Sequence, residues 1–276
     1  MKPLSRREWL ARASAVVAGT ALSPSITLAR ESEVEEEVDA TKLHPEFPSQ
    51  NPARVQEVVR FSHFNLDRVK ELVTASPALA RAAWDWGFGD WESALGAASH
   101  MGRHDIAEVL IENGARPNIF TFTMLGNLEV VEASVAAMPG IQKTLGPHGL
   151  TLLHHAKNGG DRAKAVYDYL VDLGDADNWS TSLPVDDSQK ATYLGKYRFG
   201  KEDDAVLNVT TSKRSGDLRI GREGRTPRLL KRVEEHGFSP AGAQTVRIRF
   251  AVEDSKATVV TVHDPDPIVR GVRVAN

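Results

Sequence analysis

The chain contains no cysteine among its 276 residues. That excludes disulfides, thiolate metal ligands and cysteine nucleophiles together. The signatures of common catalytic frameworks are missing as well: there is no G-x-S-x-G, S-x-x-K, G-x-x-x-x-G-K-[ST], H-E-x-x-H or G-x-G-x-x-G. Long apolar runs are scarce, and the uncharged stretch from Ala13 to Ala29 is too short and too rich in Ala and Ser to make a good spanning helix. Basic charge is not in excess either. The formal net charge is −3, with the acidic surplus between Glu31 and Pro184 and both ends net basic. An acidic middle excludes binding of a phosphate backbone there, because counterion release needs clustered Lys and Arg. The expectation from these absences is a non-catalytic chain with no cofactor, no metal and no nucleic-acid partner.

What is present begins with a basic start (Lys2, Arg6, Arg7, Arg12) ahead of that uncharged run, which ends in small residues. This is the layout of a secretory signal. The SRREWL hexad, with consecutive Arg6 and Arg7, closely resembles the twin-arginine signal of bacteria. The resemblance implies export of a folded protein to the periplasm or cell envelope, with the membrane met only during export or through an uncleaved signal. The domain reading is a signal over 1–29, an acidic and proline-spaced linker over 30–51, a repeat domain over 52–180 and a β domain over 188–276.

The repeat is visible when SALGAASHMG (Ser93–Gly102) is laid over TLLHHAKNGG (Thr151–Gly160). Both give a hydroxyl, two small or apolar positions, an Ala at the sixth place and Gly at the tenth. A longer amphipathic helix follows each, with Ile106, Val109 and Leu110 in one copy and Val166, Leu170 and Val171 in the other spaced to form a buried stripe. The pattern resembles the ankyrin repeat. Thr151, Leu153, His154, Ala156 and Gly160 fill it in the later copy, and Ser93, Leu95, Ala98, Gly102, Gly114 and Ala115 in the earlier one. Weaker copies run over Gln56–Pro77, with Asn65 at the Gly position, and over Asn118–Pro139. Four repeats exceed the roughly three needed to bury a continuous core.

The resemblance implies that His154 links neighbouring units and that His155, at a variable place, faces the concave side. His100 and His104 read as surface histidines, since no third ligand stands at chelating spacing. Arrays of this kind hold partners on a concave face and on hairpin tips. Here one tip, RAAWDWGFGDWES, gathers Trp84, Trp86, Phe88 and Trp91 between glycines, and these, with His100 and His155, are the candidate partner-binding residues. Trp84 and Trp91 also suit a plug between repeats.

After Asp177 the period changes to alternation. ATYLGKYRF, AVLNVTT, DLRIGRE, PRLLKRVEE, TVRIRFAVE, KATVVTVHD and VRGVRVA read as strands, with FSPAG as a turn. The segment resembles the small lipocalin-like β domain appended to exported bacterial proteins. The fold expected is therefore α + β in two domains: an ankyrin-type helical solenoid followed by an antiparallel meander closed as a small barrel or sandwich. The function expected is protein–protein interaction in the periplasm or envelope with an unidentified partner, a basic periplasmic enzyme being one that the acidic stack would suit. The alternative is a small-molecule or lipid binder, or a hydrolase without a recognised signature, with its site at the junction of the two domains.

Overall fold

The computed structural model describes residues 44–177, 182–202 and 205–274. The expected export signal with Arg6 and Arg7, and the expected linker up to residue 43, lie outside these residues. No described helix is long and apolar enough to cross a membrane.

Four helical hairpins open the described chain: α1 (Pro52–Phe61) with α2 (Leu66–Ala75), α3 (Ala94–His100) with α4 (His104–Glu112), α5 (Ile119–Leu125) with α6 (Leu128–Ala137), and α7 (Leu152–Asn158) with α8 (Lys164–Leu173). The first helix of each pair starts at a side-chain cap. Asn51, Ser93, Asn118 and Thr151 accept from the backbone N–H of Ala53, Gly96, Thr121 and His154. Each such cap satisfies an otherwise orphaned donor and contributes about 1 kcal/mol, which is why the repeat opens on a hydroxyl or Asn.

The first helices stack side by side, α1 on α3, α3 on α5 and α5 on α7. Val58, Val69, Leu72, Leu95, Ile106 and Leu110 belong to one buried cluster, and Val131, Leu152, Val166 and Leu170 to a second. Val171 departs from the expected stripe and is 48% exposed. The turns after α3 and α5 are packed against backbone. Gly102 and Gly126 both have left-handed φ, and a Cβ at either would meet a carbonyl oxygen, that of Asn158 and of Arg162 respectively.

The second half is a closed antiparallel barrel of β3 (Gly195–Arg198), β4 (Val206–Thr211), β5 (Leu218–Arg222), β6 (Arg228–Glu234), β7 (Gly237–Pro240), β8 (Arg247–Glu253), β9 (Lys256–His263) and β10 (Pro267–Arg273). Each strand pairs with the next, and β10 returns to β3. Eight strands stand where seven were expected. The extra one is Gly237–Pro240, which reads as a turn because it is short and ends in proline, yet all four of its residues are buried. The expected strand ATYLGKYRF is also divided. Its first residues end α9 (Asp187–Tyr193), started by a capping box between Asp186 and Gln189, and only Gly195–Arg198 is strand.

Side chains fill the barrel. Tyr193 reaches in from α9 and meets Phe238 and Phe250 at ring separations of 4.9 and 5.0 Å, and the Tyr197 hydroxyl donates to the Tyr193 carbonyl at 2.7 Å. Aromatic pairs of this kind add about 0.5–1.5 kcal/mol each beyond their buried area.

The segment WDWGFGDW joins the two halves. It forms a hairpin of β1 (Ala83–Asp85) and β2 (Trp91–Ser93). Trp84 and Trp86 pack onto the helical core, whereas Phe88, at φ 62° between glycines of positive φ, packs onto the barrel core. The tip read as a surface for another protein is thus largely occupied within the chain. Only Trp91, 63% exposed, turns to solvent.

Candidate metal centre

Beside that hairpin, four residues from four separate elements converge. His63 sits in the turn after α1, Glu92 in β2, His100 at the end of α3 and His148 in the loop before α7. One ligand atom from each lies within 4.8 Å of the others. The Glu92 carboxylate is the hub: Oε1 is 2.8 Å from His100 Nε2 and 3.3 Å from His148 Nε2, and Oε2 is 3.4 Å from His63 Nε2. In a tetrahedral site with bonds of about 2.0–2.1 Å, ligand atoms stand roughly 3.3 Å apart. The set has that scale.

The hydrogen bonds around the cluster aim the imidazoles inward. His63 Nδ1 is 3.1 Å from the Val59 carbonyl and 3.0 Å from that of Arg60. Carbonyls only accept, so Nδ1 carries the proton and Nε2 presents its lone pair. His148 Nδ1 lies 2.7 Å from Asp90 Oδ2, and its backbone N–H donates to Asp90 Oδ1 at 2.8 Å. This carboxylate–histidine arrangement orients metal-binding imidazoles and raises their basicity. His148 is held at φ 61°, a strained conformation for a residue with a Cβ. Asp90 in turn takes a hydrogen bond from Arg228 Nη2 at the start of β6, so the support of His148 comes from the barrel as well as the stack. Trp86 Nε1–H donates to Glu92 Oε2 at 2.7 Å.

The electrostatics favour the binding forms of Glu92 and His63. Burial works to raise the Glu92 carboxyl, but the imidazoles of His100, His148 and His63 outweigh it and hold it down at about 2. His63 is lowered below the usual imidazole value, chiefly by burial. Metal binding needs an ionised carboxylate and neutral imidazoles. Two buried atoms at the centre, Glu92 Oε1 and His100 Nε2, face each other at 2.8 Å without the alignment of a hydrogen bond, although their residues are almost fully enclosed. Buried polar atoms left in this way are uncommon, and a cation would satisfy both. The residues therefore fit a metal, against the sequence expectation of none.

His100 is buried rather than at the surface. His155 is fully buried rather than facing a partner. Its Nδ1 bonds the Thr151 carbonyl at 2.9 Å, its ring centroid lies 6.4 Å from that of His100, and burial lowers it to about 4. His154 bonds Asn158 of its own helix at 2.9 Å and also interacts with the His100 backbone of another unit, and that link is shared by Asn158 to the His100 carbonyl and by His104 Nε2 to the Gly159 carbonyl at 2.9 Å. Leu95 and Ala156 are buried in the stack, Leu153 is half-buried, Thr151 caps α7, and Gly114 and Gly160 take left-handed φ.

His63, Glu92, His148, Asp90 and Arg228 were not legible as site residues, though one signal existed. His63 and His100 hold the same place in successive copies, two residues before Asn65 and Gly102, and stacking brings their rings to 5.0 Å.

His63, His148, Trp86 and Arg228 also line a solvent-open cleft of about 790 Å³ between the first helical pair and the barrel. An enclosed His100–Glu92 pair thus meets a partly exposed His63–His148 pair, and the centre is reachable from the cleft.

A family model described as Ankyrin repeat matches residues 90–122, which span β2, α3, α4 and the start of α5. No curated protein matches the chain. Over residues 90–122 the chain is similar to an ankyrin repeat, and that stretch supplies Glu92 and His100, the two buried residues of the candidate centre.

Proposed function

We propose that the chain binds a divalent first-row transition metal through His63, Glu92, His100 and His148, and that its function is exercised at this centre, in the cleft between helical stack and barrel. The observation that carries the reading is the convergence of three imidazole nitrogens within 3.4 Å of one buried carboxylate, with Glu92 Oε1 and His100 Nε2 facing each other at 2.8 Å without hydrogen-bond alignment. Imidazole and carboxylate ligands without thiolate suit zinc and its neighbours. The reading develops the junction-site alternative and leaves a role as a binder or as a metal-assisted hydrolase to the occupant of the cleft. Its test is metal analysis of the purified protein, followed by stripping and reloading with zinc. About one equivalent per chain, abolished in His100→Ala, supports it. A chain that takes up no metal at micromolar concentration overturns it.

A second reading is favoured by the ankyrin match: recognition of a protein partner by the helical stack, with all four hairpins taken as ankyrin-type units. Trp91 is the aromatic of the hairpin left free for such a partner. Export through the twin-arginine route accords with both readings, because a chain exported folded would carry its metal with it. Cell fractionation with Arg6→Lys/Arg7→Lys tests the export: retention of the doubly substituted chain inside the cell supports it, and unchanged distribution counts against it.

A further inference from the structure

The cleft beside the centre has a composition of its own. Phe61 and Phe64 meet edge to face at 5.5 Å on one wall, and Phe64 is 55% exposed. Trp86 lies on the same lining, and its indole N–H is committed to Glu92. Two cations face this apolar surface, Arg60 and Arg228. Arg60 is exposed, lies 5.9 Å over the Phe61 ring and makes no ion pair among the described residues. Arg228 is 9% exposed, and its buried Nε–H has no partner among them.

The acids nearby are already engaged. Glu57 is bound by Arg68 at 2.6 Å, and Asp85 accepts from the Gly87 N–H at 2.7 Å while facing Arg228. Arg228 is paired with Asp90, with Asp85 also near it, so Arg60 is the cation of the cleft left without a carboxylate of its own among the described residues.

We infer that the cleft takes a small organic monocarboxylate with a flat apolar body, its carboxylate directed to the metal and to Arg60 and its body lying across Phe61, Phe64 and Trp86. This inference rests on the metal reading. An apolar cleft with a few convergent polar groups is the ordinary form of a small-molecule site. A single leftover cation at its mouth selects a monoanion over a neutral molecule. The planar guanidinium matches a carboxylate in two parallel hydrogen bonds.

The experiment uses cobalt as a spectroscopic substitute at the centre and benzoate as the probe. The full chain is loaded with Co²⁺, the stoichiometry is measured, and benzoate, benzamide and inorganic phosphate are titrated in turn while the visible cobalt bands are followed. Benzoate should change the bands saturably, with benzamide and phosphate each weaker by about tenfold or more. Arg60→Gln and Phe64→Ala should each weaken benzoate by about tenfold while leaving the cobalt stoichiometry unchanged. Equal binding of benzamide, equal binding of phosphate, or indifference of benzoate to Arg60→Gln overturns the inference and leaves the metal centre standing. A chain that takes up no cobalt overturns the metal reading and this one with it.

Discussion

Asp90 and His148 are 58 residues apart in the chain, and their side chains meet at 2.7 Å, with the His148 backbone N–H closing a second bond to the same carboxylate. Arg228 of the barrel completes the group by donating to Asp90 Oδ2. One carboxylate therefore orients an imidazole, fixes a strained loop and neutralises a buried guanidinium.

Asp90→Asn should disturb all three. Zinc affinity, measured by competition with a chromophoric chelator, should fall on the order of 10- to 100-fold, as for other losses of a carboxylate behind a metal-bound histidine. Urea unfolding should show a stability loss of about 3 kcal/mol, because Arg228 is left buried without its counter-charge. Unchanged affinity with lowered stability would mean that Asp90 serves the fold alone.

Glu92→Gln keeps the shape and leaves an amide oxygen for the Trp86 N–H, but removes the charge at the hub. Metal content by plasma mass spectrometry should drop from about one equivalent to a small fraction, with the circular dichroism spectrum retained. Full retention of metal would place the ion elsewhere.

Two glycines separate packing from backbone strain. Gly102 and Gly174 share a left-handed φ, but a Cβ at Gly102 runs into the Asn158 carbonyl, whereas nothing lies within 4 Å of one at Gly174. Gly174→Ala should lower stability by about 1 kcal/mol through the backbone alone. Gly102→Ala should cost about 3 kcal/mol, and its effect should extend to the link from Asn158 to the His100 carbonyl. Similar losses at the two sites, read from denaturant midpoints, would show that the stack yields easily at that turn.

His155 makes stability depend on pH. The folded chain binds its proton only near pH 4, while the unfolded chain does so near the ordinary value of 6.5. Between these values the unfolded state holds more protons, so the contribution is complete above pH 6.5 and is lost as pH falls toward 4. The difference corresponds to about 3 kcal/mol. In chelator-treated protein, urea midpoints should decline over that window more steeply for the parent chain than for His155→Gln. Parallel declines would assign the acid sensitivity to other groups.

How much of this is legible in the sequence follows from the range of the interactions. Caps and turns are local, so Ser93, Asn118 and Thr151 mark helix starts, and Gly102 and Gly160 mark turns. Alternation likewise discloses most barrel strands. Gly237–Pro240 is missed because four residues are too few to show a period, and α9 is missed although Asp186 and Gln189 spell its capping box. The centre is hidden for a different reason. His63, Glu92, His100 and His148 sit on four elements, none at the one-turn spacing that chelation within a helix requires. Their proximity is created by stacking one repeat on the next and by the loop before α7, so His100 on its own reads as a surface residue. The aromatic hairpin carries the opposite lesson. Trp84, Trp86 and Phe88 look like a hot spot because they are one, with the chain itself as the partner: the helical stack for the two tryptophans and the barrel for Phe88.

The division of labour around Asp90 reaches past the centre itself. Its carboxylate comes from the hairpin, its guanidinium from the barrel and its imidazole from the loop between α6 and α7 of the stack, so an ion held by His148 would be linked to the cohesion of the two halves. By mass action, any free energy of metal binding is added to the stability of the assembled chain and to neither half alone. On the metal reading, metal supply in the surrounding medium would then control whether stack and barrel unfold as one cooperative body or come apart in sequence.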